Sequence, residues 1–121
     1  MKILAALLVG SVSIMHFYIA ILEMALWQKP RGRAIFRMDE ATARLTAPLA
    51  SNQGLYNIFL AAGLIWGLAS PNPFSFRLEV FFLTCVALAG AYGFATTSSR
   101  KILLGQFTPA FLALTVVLYA S

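Results

Sequence analysis

The chain has 121 residues, 60% of them hydrophobic and 11% charged, with a mean hydropathy of +0.82 and a formal net charge of +5. A soluble globular domain carries about 25% charged residues, so this composition cannot furnish a polar surface; it describes an all-α integral membrane protein of one domain. The positive charge does not point to nucleic acid, because Lys29, Arg31, Arg33, Arg37 and Arg44 crowd a single loop, the usual mark of a cytoplasmic membrane face.

The first apolar run, residues 3–27, follows Lys2 and at first sight resembles a signal peptide. It is long for that role, contains His16 and Glu23, and has no A-x-A cleavage site before the basic segment, so it reads as a permanent span. Lys29-Pro30-Arg31-Gly32-Arg33 stops it with charge, a proline and a glycine. Residues 38–45 read as a loop against lipid headgroups in which a short interfacial helix can form, with Asp39 near its start and Glu40 four residues before Arg44. Thr46-Ala47-Pro48 then opens a second span, 47–69, with a hydroxyl to cap it and proline in its first turn. Ser70-Pro71-Asn72-Pro73 makes a tight turn before a third span at 78–97, and Thr97 to Lys101 separates that from a fourth at 102–120. Each run meets the length of about 20 residues that a membrane helix needs. Short connections make consecutive helices antiparallel neighbours, so a four-helix membrane bundle is expected.

Basic residues orient it. The first and third loops carry Lys29, Arg31, Arg33, Arg37, Arg44, Arg100 and Lys101, against Lys2 and Arg77 on the other side, which places both termini outside and the basic loops in the cytoplasm. Cys85 is the single cysteine, so no intrachain disulfide can form.

The polar residues inside the spans are the candidates for function. Counted inward from the cytoplasmic boundary, Glu23 lies about 7 Å deep, Asn52, Gln53 and Gln106 about 8 Å, and His16 and Asn57 about 15–18 Å. Depth therefore pairs Glu23 with Asn52 and Gln53, and His16 with Asn57. His16 and Glu23, seven apart, share a helix side, and Trp27 follows four residues later; Gln53 and Asn57, four apart, share another with Gly54. Tyr92 and Thr96 from the third span, and Gln106 with Pro109 from the fourth, are expected to complete a polar cavity near the cytoplasmic side. Amides and hydroxyls also serve as glue between membrane helices, but glue does not require an ionisable acid, and Glu23 is for that reason the strongest candidate. Gly63-x-x-x-Gly67, and Ala87, Gly90, Ala91, Gly93 and Ala95, provide small-residue faces for packing or oligomerisation. Trp27, Trp66, Phe74 and Tyr119 fall near span ends, where interfacial anchors belong. There is no phosphate-binding glycine loop, no metal-ligand spacing and no redox pair, so no cofactor is expected.

The stretch from His16 through Glu23 to Trp27, the following Lys29-Pro-Arg-Gly-Arg33, and Asn52-Gln53-Gly54-Leu55-Tyr56-Asn57 resemble a family of small bacterial membrane proteins catalogued as domain of unknown function 1304. The resemblance covers almost the whole chain. It implies a four-helix integral membrane protein and brings no established activity.

Two functional readings follow from the residues, with a structural one beside them. In the first, a homo-oligomer in the inner membrane binds or transports a small lipophilic molecule: Glu23 exchanges a proton for substrate, His16 relays or binds, Asn52, Gln53, Asn57 and Gln106 orient it, and Trp27 and Tyr56 stack on it. In the second, a membrane-embedded enzyme uses His16 and Glu23 as an acid/base pair on a lipophilic substrate. In the third, the polar cluster locks the bundle among membrane lipids and does nothing more.

Overall fold

The computed structural model describes Met1–Ser121 and is helical throughout, with no strand. Five helices follow in order: α1 (Lys2–Met24), α2 (Pro30–Phe36), α3 (Glu40–Ala69), α4 (Phe74–Thr97) and α5 (Arg100–Ala120). Helices α1, α4 and α5 are long and apolar enough to cross a membrane. At 1.5 Å per residue they measure about 32–36 Å, against an apolar bilayer core of about 30 Å. Helix α3 is longer still, at 30 residues. Glu40, Arg44, Asn52, Gln53 and Asn57 leave it the least apolar of the four long helices.

The helix ends differ from the sequence expectation in ways that local chemistry explains. The segment expected only to break the chain instead folds into α2, because Pro30 occupies the first helical position, where its fixed φ suits a helix and its missing N–H is no loss. Gly32 permits this: a Cβ there would run into the carbonyl of Leu26. Helix α3 starts at Glu40 and absorbs both the expected interfacial helix and Thr46-Ala47-Pro48. Its cap is Asp39, whose Oδ1 accepts the Thr42 N–H at 2.7 Å, while Glu40 complements the first turn. The Thr46 hydroxyl, expected to cap a second span, donates to the Thr42 carbonyl at 2.7 Å from inside the helix. Pro48 is therefore an interior residue, tolerated at the loss of one i→i−4 bond.

Within α5, residues Leu103–Phe107 form a π-helical turn, and the Thr108 N–H returns to the Leu103 carbonyl. Thr108 Oγ1 donates to that carbonyl too, at 3.0 Å. Pro109 comes next and has no N–H to continue an ordinary α ladder, so the widened turn sits where a carbonyl would lose its partner.

The chain gathers into two compact units. The first comprises Met1–Ile14 and Leu60–Ser121. Its core draws on four helices: Ala5, Val9 and Val12 of α1, Leu64 of α3, Leu83, Val86 and Ala87 of α4, and Ala110, Ala113, Val116 and Val117 of α5. Ser13 ties α1 to α3 there by donating to the Ala61 carbonyl at 2.9 Å. Glycines set the spacing: the Phe82 ring covers Gly63, the Glu79 stem lies over Gly67, and the Phe107 backbone lies over Gly90. The Gly63-x-x-x-Gly67 pattern thus serves packing within the chain, against α4. Ile3, Leu7, Phe81, Leu88, Leu104 and Tyr119 point outward, an apolar exterior suited to lipid. The second unit is Met15–Phe59, which holds the end of α1, all of α2 and the first two-thirds of α3.

The Glu23 cleft as candidate functional site

In the second unit α1 and α3 approach each other at Gly54. A Cβ at that position would meet the Met24 side chain and come within 3.2 Å of the Ala20 carbonyl. Only a glycine leaves room for so close an approach. Beside this contact Asn57 Nδ2 donates to Glu23 Oε1 at 2.5 Å. The same nitrogen lies 3.4 Å from the Gln53 carbonyl oxygen.

Depth counting paired Glu23 with Asn52 and Gln53, whereas the amide that holds it is Asn57. Side chains on a helix lean toward its N-terminus. In an antiparallel pair, Glu23 leans toward the level of Ala20 and Asn57 toward the level of Gln53 and Gly54. The two tips therefore meet at the Ala20–Gly54 crossing, although their Cα atoms lie at different depths.

Glu23 also lines a cleft of about 400 Å³ with Met24, Trp27, Gln28, Lys29, Ala47 and Ser51 among its walls. Trp27 is held by two contacts: its Nε1–H donates to Thr46 Oγ1 at 2.9 Å, and its ring lies 4.7 Å from that of Phe36. Because Thr46 in turn donates to Thr42, and Thr42 to Asp39, a run of hydrogen bonds joins the cleft wall to the cap of α3. The cleft thus offers a carboxyl group, an ammonium from Lys29, a serine hydroxyl and an indole, a set that can take a polar or cationic group with an apolar body.

Residues 10–118 match the family described as "Protein of unknown function (DUF1304)". The chain belongs to the DUF1304 family. A relative named "Uncharacterized protein YpaA", from Lactococcus lactis subsp. lactis (strain IL1403), is 33% identical over 118 residues, covering 94% of this chain and 96% of its own. No solved structure matches the chain. Neither description assigns an activity.

The other expected site residues of the DUF1304 chain are placed as follows. His16 is fully buried on α1, about 10 Å of helix rise before Glu23, and does not line the cleft. Asn52, Gln53 and Tyr56 are exposed on α3, and Tyr56 meets only the edge of Phe59 among rings, at 6.1 Å. Gln106 is half-buried on the π-helical turn of α5, in the first unit. Tyr92 is 73% exposed, and the Thr96 hydroxyl turns back to the carbonyls of Tyr92 and Gly93.

Sequence reasoning passed over Ser51, Ala47, Gln28 and Lys29 as lining residues and Thr46 as the partner of Trp27. The spacing of Ser51 and Ala47, four apart on α3, was the available signal. It also passed over Arg31, which reaches from α2 to Tyr18 on α1: Nη2 and Nε donate to the hydroxyl at 2.5 and 3.0 Å, and the guanidinium carbon lies 5.6 Å from the ring centre.

Proposed function

We propose that this DUF1304 protein is a multi-pass protein of the bacterial inner membrane that binds a small or lipophilic molecule at the Glu23–Asn57 cleft and transports it as a homo-oligomer. The observation that carries this reading is the hydrogen bond from Asn57 to Glu23 at the wall of a cleft large enough for a small molecule. A glutamine at position 23 would offer Asn57 the same acceptor without a charge, so packing alone gives no reason for an acid. Interhelical polar bonds in membranes contribute about 0.6 kcal/mol on average, too little to make this bond the purpose of the residue.

In this reading α1, the stretch of α3 from residue 47, α4 and α5 form one four-helix transmembrane domain with both termini outside. The distribution of basic residues supports the orientation. The one α3 amide that reaches the acid supports the site, because Asn57 holds Glu23 at the cleft wall. The exposure of Asn52, Gln53 and Tyr56 supports the oligomer, since a second copy would cover amides that a lipid surface cannot satisfy. Glu23 exchanges a proton for the bound molecule, and Trp27 stacks on the ligand.

The test is thermal unfolding in detergent with a panel of lipophilic cations and neutral amphiphiles, wild type against Glu23→Gln, followed by proton-coupled uptake in proteoliposomes. A ligand present at about 100 times its Kd stabilises the wild type by about 2.7 kcal/mol. Glu23→Gln is expected to fold, to lose that shift and to lose uptake. A full ligand shift in the variant would refute the site.

A further inference from the structure

We infer that the first unit carries a second site, at its opposite end from the π-helical turn, built to hold the ethanolamine-type headgroup of a membrane phospholipid. The inference is independent of the Glu23 cleft and uses none of its residues. A cleft of about 530 Å³ lies where α1 begins, α5 ends and the α3–α4 turn passes. It contains one acid and one base. Glu79, in the second turn of α4, and Lys2, at the start of α1, both line it. The rest of the lining is largely apolar, with Ala5, Phe76, Val117 and Ala120 among its walls.

Glu79 is placed, not incidental. Its stem lies against Gly67, where an added Cβ would stand 2.9 Å from the Glu79 Cγ, so a larger residue on α3 would displace the acid. Its Oε1 accepts one long bond, from Ser75 Oγ at 3.4 Å. A carboxylate can accept several hydrogen bonds, so Glu79 keeps capacity for a donor that the cleft brings to it. A primary ammonium provides that donor together with the opposite charge. Lys2 provides the complement, an ammonium suited to a phosphate. A ligand with both groups and an acyl body satisfies both charged residues and the apolar wall at once. Choline-type heads lack the N–H donors, and glycerol-type heads lack the cation. A soluble phosphorylated amine has the same polar groups but no use for Phe76 and Val117, so the lipid is the occupant.

Native mass spectrometry of the purified full chain, with equal amounts of phosphatidylethanolamine, phosphatidylcholine and phosphatidylglycerol in the micelle, reads the choice directly. The wild type is expected to retain phosphatidylethanolamine with about a tenfold preference, the effect of one hydrogen bond to a charged group. Glu79→Gln keeps the side-chain shape and is expected to lose most of that preference, and Lys2→Gln to reduce it, while Glu23→Gln leaves it intact. Soluble O-phosphoethanolamine is expected not to displace the lipid. Equal retention of the three lipids, an unchanged preference in Glu79→Gln, or displacement by the soluble amine would each overturn the assignment.

Discussion

At Gly90 an added Cβ would stand 2.6 Å from the Phe107 nitrogen and 2.8 Å from its Cα, and both are backbone atoms that no rotamer change can move. Gly90→Ala is therefore expected to destabilise the protein by about 1–3 kcal/mol, the usual cost of overpacking. Gly105, on the π-helical turn itself, has nothing within 4 Å of its would-be Cβ, so Gly105→Ala is expected to unfold at or above the wild-type temperature. A pair of thermal melts in one detergent decides both. At this scale the sequence is legible as chemistry and only partly as geometry. That Glu23 would need an amide was readable from its type and depth. That the amide would be Asn57 was not, because the pairing depends on the lean of two side chains and on Gly54 admitting Ala20. The small-residue face of α4 was likewise half legible: Ala87 and Gly90 are buried, while Ala91 and Ala95 of the same composition face outward.

Among the elements, α3 departs furthest from its reading, and its start can be tested by pH. The backbone N–H of Thr42, with the Thr42 side chain, holds the Asp39 carboxyl below its ordinary value of 3.8. A carboxyl lowered in the folded state contributes stability that is fully present above its ordinary value and fades as pH falls through the lowered one. The helicity of the α3 start is thus expected to hold above about pH 4 and to decline as the pH falls below it, as protonation weakens the cap. Asp39→Asn, which can still accept the Thr42 bond, is expected to remove that part of the pH dependence; circular dichroism across the range reads both. The sequence has Asp39 and Glu40 in the right order for a helix start, but its pattern suggests Pro48 as a first-turn residue. Tertiary packing outvotes it: Ala43, Ala50, Gly54, Asn57, Ala61 and Leu64 recur at alternating spacings near 3.5 residues, and all of them except the half-buried Asn57 are buried. On α1, Ala5, Val9, Val12, His16 and Ala20 repeat the pattern and are all buried. These stripes mix Ala and Gly with Val, Leu, His and Asn, which is why a hydropathy reading located the helices but not their facing sides.

For the whole molecule, composition alone indicated helices long and apolar enough for a membrane, and α1, α4 and α5 meet that description. The proposed orientation can be checked with single cysteines on a Cys85→Ala background. Ser70→Cys, in the α3–α4 turn, is expected to react with an impermeant thiol reagent on intact cells, and Ser99→Cys, between α4 and α5, only after permeabilisation. The opposite pattern would invert the topology. The division into two units was not legible, because it cuts across α1 and α3, each of which runs as one unbroken helix through the boundary.

The two tryptophans fall on either side of that division. Trp27 belongs to the second unit, hydrogen-bonded to Thr46 at the cleft wall, and Trp66 belongs to the first, more than half exposed and edge-on to Phe74 at 5.4 Å. The protein therefore carries its own pair of optical labels, one per unit. Replacing either with phenylalanine leaves a single tryptophan, which red-edge excitation selects over the tyrosines, so the local polarity of each unit is separately observable without attaching a dye.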